Sequence, residues 1–185
     1  MEQQTDKNAN ISVSNSFIST EKYKSIGGWL ILFVTSLIIT FIIMLFVIIN
    51  ELLPVFLDKQ RSILITPGSQ LYDPLFTRIT YIELFMSIII SISAIILLVF
   101  LFQKRKFVPK IAIIYIVFSS AYAIVDLAMY ISLINHFKDI GINLNLDANE
   151  IREKVSGSLI SAIVYPVVWV PYFLKSKRVK HTFIR

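Results

Sequence analysis

The sequence predicts an all-α fold, a four-span transmembrane helical bundle with both termini in the cytoplasm. Three observations carry this. Four apolar runs, at about 26–50, 84–102, 111–135 and 155–174, hold a single charged residue between them, Asp126. Each is long enough for a helix to cross a hydrocarbon core of about 30 Å, and a chain in lipid must satisfy its backbone groups within the segment. Of the 185 residues, 56% are apolar and only 16% charged. A soluble domain carries about a quarter charged residues to clothe its surface. Finally, two thirds of the 18 Lys and Arg fall before run 1, between runs 2 and 3, or after run 4. The positive-inside rule puts those segments in the cytoplasm.

The elements follow in order. Residues 1–25 are rich in Asn, Ser, Gln and Thr and read as a disordered cytoplasmic tail, with no apolar core of a cleavable leader. Gly27-Gly28 allows a turn into the first helix, and Trp29 suits the headgroup zone. The stretch 51–81 reads as a long outer loop punctuated by Pro54, Pro67-Gly68 and Pro74. Within it, Ser62–Thr66 is β-branched enough for a short strand or a segment lying on the membrane. Run 2 leads to Lys104, Arg105 and Lys106, a basic link free of acid, expected at the inner interface in contact with lipid. Pro109 opens the third helix, where a missing N–H costs little. In the second outer loop, Asp147 with Glu150 three residues on is a helix start, expected to lead into run 4. Pro166 is expected to kink run 4, and Pro171 to distort or end its last turn. Trp169 and Tyr172 read as an interfacial belt. Residues 175–185 form a basic tail in which Lys177 and Arg178 face inner-leaflet lipid.

Asp126 is the most informative residue. It lies about fifteen residues into run 3, roughly 22 Å along it, beyond the midplane and toward the outer side. An ionised carboxylate there must face protein, water or a cation. It serves either a ligand, ion or proton or a structural bond between helices. Ala112, Ser119 and Ala123 share its stripe. Similar small rows, Ser87, Ser91, Ala94 and Ser158, Ala162, Tyr165, mark faces where helices pack closely. Glu83, Arg152 and Lys154 flank the runs on the same side. Together with Asp126 they form the candidate polar or ligand site, in which Arg152 or Lys154 pairs with Asp126 or Glu83.

The basic balance, +6, is explained by topology, so no nucleic-acid partner is expected. With no cysteine and two histidines, His136 and His181, no metal centre, cofactor or catalytic set is expected. The expected partners are membrane lipid and a membrane protein or a second copy of the chain.

Gly27-Gly28-Trp29-Leu30, Glu83-Leu84-Phe85, Lys104-Arg105-Lys106-Phe107-Val108-Pro109, Asp126, Trp169-Val170-Pro171-Tyr172-Phe173 and Ser176-Lys177-Arg178-Val179-Lys180 occur in an order and spacing that resemble the bacterial multi-pass inner-membrane family catalogued as domain of unknown function 2569. The resemblance covers most of the chain from Ile26 onward. It implies four helices in the cytoplasmic membrane and singles out Glu83, Asp126 and Trp169, without assigned chemistry. That family's pattern carries an Asn shortly after Glu-Leu. Phe85-Met86-Ser87 stands there in this chain, so any bond made by that amide is missing or falls to Ser87. The expected function is a non-enzymatic accessory or envelope-associated factor binding a membrane partner or lipid. The alternative is a small transporter or channel component using Asp126.

Overall fold

A computed structural model describes residues 27–142 and 147–183; the predicted tail 1–25 lies outside them. Four long helices make the bundle: α1 (Trp29–Leu57), α3 (Pro74–Phe102), α4 (Val108–Asp139) and α5 (Ala148–Lys175). Two short helices, α2 (Lys59–Ser62) and α6 (Lys177–Thr182), follow α1 and α5. Neighbours in sequence pack as neighbours in space, α1 on α3, α3 on α4, and most extensively α4 on α5. One end of the bundle, the terminal end, carries the described ends of the chain and the α3–α4 link. The other, the loop end, carries the two long connections.

The helices outrun the charge-free stretches. At 28 to 32 residues they measure roughly 42–48 Å, enough for the hydrocarbon and both headgroup layers. The charge-free run marks the part that lies in lipid, whereas the helix continues as long as its backbone is capped. Thus α3 begins ten residues before Leu84. Asp73 caps it, its Oδ1 accepting from the Phe76 amide at 2.7 Å, and Pro74 occupies the first turn. α1 passes Asn50 through a π turn at Ile48–Leu52. There the Leu53 amide donates five residues back, to the Ile48 carbonyl. That wider turn gives the Pro54 ring room where a regular helix would meet it with a carbonyl. The long loop expected at 51–81 therefore shrinks to 58–73. Ser62–Thr66 is not a strand: it closes α2 and enters turns, and Gly68, at φ 90°, makes the predicted turn.

The helix start expected in the second outer loop is present. Asp147 caps α5, accepting from the Asn149 amide at 3.1 Å, and the helix runs unbroken into the fourth span. It also continues through Pro166 and Pro171 to Lys175, so Pro171 does not end it.

The tight core lies in the terminal half. Leu30, Phe33, Leu37, Leu97, Leu101, Val108, Ala112 and Ile116 are wholly buried, closed below by Val179 and Phe183 at α6. Ser87, Ser91 and Ala94 are buried as the small row on α3 requires; on α4 it is Ser120 rather than Ser119 that is buried. The Trp169 ring does not face outward. It is buried, its ring 5.1 Å from that of Phe33, which also meets Phe173 at 4.8 Å. Ser36 and the Tyr165 hydroxyl bond at 3.1 Å beside this aromatic layer. The side of α5 facing α1 thus sets the direction of Trp169, whereas the Trp29 ring is exposed.

Candidate functional site

Toward the loop end the tight core stops and polar groups take over. Glu51 directly follows the charge-free run of α1, Glu83 directly precedes that of α3, and Lys154 directly precedes that of α5. Asp126 lies roughly 27 Å along α4, at a comparable level. Every spanning helix therefore contributes one charged residue at a comparable level toward the loop end, Asp126 from within its run and the others from the borders of theirs. Glu83 is within electrostatic reach of Asp126, Lys154 and Glu51, and Asp126 within reach of Lys154. Glu83 and Asp126 are half-buried. The Tyr122 hydroxyl, one turn before Asp126, donates to its Oδ1 at 3.4 Å. One turn beyond, the Tyr130 ring carries the Lys154 ammonium 3.9 Å from its centre, a cation–π contact.

Of the four residues predicted from sequence, three come together. Arg152 does not. It is exposed and makes no ion pair among the described residues. Helix positions i and i+2 point about 200° apart, so when Lys154 faces the bundle Arg152 faces away. Sequence reasoning misses three participants. Glu51 falls in the expected outer loop, because the charge-free run stops at Asn50. Tyr122 and Tyr130 hide among 13% aromatic residues, although their positions four before and four after Asp126 place all three on one face. Chemically the belt is three carboxyl groups, one ammonium and two phenols at a membrane boundary. That excess of acid suits a cation or an amine. Among the described residues no group of three His, Asp or Glu side chains is placed to hold a metal ion.

A second polar contact closes the loop end. Asp73 Oδ2 lies 2.6 Å from His136 Nε2, joining the start of α3 to the last turns of α4. Burial works to raise the Asp73 carboxyl, but the Phe76 amide and the His136 ring outweigh it and hold it below its ordinary 3.8.

At the terminal end, the half-buried Arg178 lies against the glycine pair. A side-chain carbon on Gly27 or Gly28 would come within 2.7 Å of its guanidinium. In the basic link, Arg105 is exposed and its Nε donates to the Gln103 side chain at 3.2 Å. Lys106 and Lys177 are exposed, and Tyr172 and Lys104 half-buried.

The model of one family, described as a protein of unknown function (DUF2569), matches residues 23–184. No curated protein and no solved structure matches the chain.

Proposed function

The chain belongs to that family, multi-pass proteins of the bacterial inner membrane, and on that premise we propose that it is a non-enzymatic accessory factor with both termini in the cytoplasm. Its polar belt, now on the outer side, holds an amine-bearing membrane component, a headgroup or a segment of a partner. One observation carries the reading: all four spanning helices bring a charged side chain to a comparable level toward the loop end, with acid in excess. Charges at such depth are costly unless they meet one another or a ligand, and one ammonium does not balance three carboxyl groups. The short connections leave no room for a soluble catalytic domain.

The test places a photoreactive phenylalanine analogue at Tyr130, an aromatic position of the belt itself, in cells. The expected result is a discrete crosslinked species, lipid or protein, that disappears with Asp126→Asn at unchanged abundance of the chain. Its persistence in Asp126→Asn sinks the reading. Asp126-dependent cation flux in liposomes containing the purified chain would instead favour a transporter component, the reading that Asp126 and Tyr122 support.

A further inference from the structure

Between α3 and α4, at the loop end, a groove of about 430 Å³ opens to the outside of the bundle. Ile79 and Ile82 form one wall, Val125 and Ala128 the other, and its polar groups are Arg78 and Ser132. The groove exists because α3 and α4 are pinned beyond it by the Asp73–His136 contact, while the small side chain of Ala128 leaves space between them.

Arg78 says what fits there. It is exposed, and among the described residues no carboxylate pairs with it. Asp73, just before the first turn of the same helix, is already bonded to the Phe76 amide and to His136. Glu83, five residues on, points to another side of the helix and belongs to the belt. Counting outward from Glu83, Arg78 stands roughly 7 Å nearer to solvent, at the depth of lipid phosphates. A guanidinium is shaped to grip a phosphate with two parallel hydrogen bonds. Below it the apolar walls descend toward the hydrocarbon.

We propose that this groove binds an anionic phospholipid of the leaflet at the loop end, its phosphate on Arg78 and the upper part of an acyl chain between Ile82 and Val125. The site is separate from the polar belt: its charge has the opposite sign and none of its residues is shared. It depends on the proposed function only in that α3 and α4 cross a bilayer.

The test is native mass spectrometry of the purified full chain in detergent, titrated with phosphatidylglycerol or with phosphatidylcholine. The wild-type chain should retain phosphatidylglycerol preferentially. Arg78→Gln should lower that retention roughly tenfold, the scale of one lost charge-assisted contact, and Arg78→Lys should lower it less. Ala128→Phe, which fills the groove and leaves Arg78 in place, should also abolish the preference. Equal retention of the two lipids by the wild-type chain, or unchanged retention in both Arg78→Gln and Ala128→Phe, overturns the proposal. Asp126→Asn should leave this lipid bound while removing the crosslink at Tyr130, so the two readings fail separately.

Discussion

Gly28 shows how a single residue can hold a motif together. Its φ of 59° with ψ of −136° is backbone that glycine adopts freely and that costs other residues about 1–3 kcal/mol. Gly27 has no such requirement; what it supplies is room for the Arg178 guanidinium, the far end of a flexible side chain. Gly28→Ala should therefore lower the melting temperature in detergent clearly more than Gly27→Ala. Equal effects would mean that space, and not backbone conformation, is what the pair provides. Asp73 makes a second argument at this scale, since it both caps α3 and bonds His136. A carboxyl held below 3.8 when folded stabilises the structure above that value and loses its contribution as pH falls through its lower, folded pKa. The Asp73 contacts should accordingly weaken below about pH 4. Hydrogen exchange at 73–80 measured from pH 6 down to pH 2 checks this, and Asp73→Asn should flatten the acid response. An acid transition that survives Asp73→Asn would assign it to another group.

The helices are legible in sequence as spans, and illegible as to where they stop. A run without charge reports contact with hydrocarbon, so 84–102 stands out while the first ten residues of α3, carrying Arg78 and Glu83, look like loop. Pro54 looks like a terminator and is instead absorbed by a π turn, a rearrangement that no composition announces. Trp169 is misleading for a related reason: a tryptophan near the end of a span suits an interface and a core equally well, and only its partner Phe33, on a helix distant in sequence, decides. The layer of Phe33, Trp169 and Phe173 joins α1 to α5, and Phe33 is wholly buried. Phe33→Ala should weaken the bundle, though by less than the roughly 3–5 kcal/mol seen in cores folded from water, because lipid is as apolar as the protein interior and only packing is lost. Steric-trap or denaturant unfolding in micelles measures this, and Phe33→Leu should recover much of the loss. If Phe33→Ala unfolds no more easily than wild type, the aromatic layer does not join the two helices.

At the scale of the whole molecule the bundle is divided: aliphatic and aromatic packing at the terminal end, charge and a groove at the loop end. The candidate site is half-visible in the sequence for that reason. Asp126 stands out because it interrupts a run, and Glu83 and Lys154 because they border runs, but their convergence with Glu51 depends on all four helices crossing at one level. The division also gives orientation its meaning. If the basic link and tail face the cytoplasm, the belt and the Arg78 groove meet the outer leaflet; with the opposite orientation, the same groups would face the cell interior. The chain contains no cysteine, so single replacements report without background. Gln60 in α2 and Lys180 in α6 are both exposed and stand at opposite ends. In intact spheroplasts a membrane-impermeant maleimide should label Gln60→Cys, and Lys180→Cys should react only after lysis. Labelling in the reverse order would turn the molecule over, and would move the polar belt and the Arg78 groove to the cytoplasmic leaflet with it.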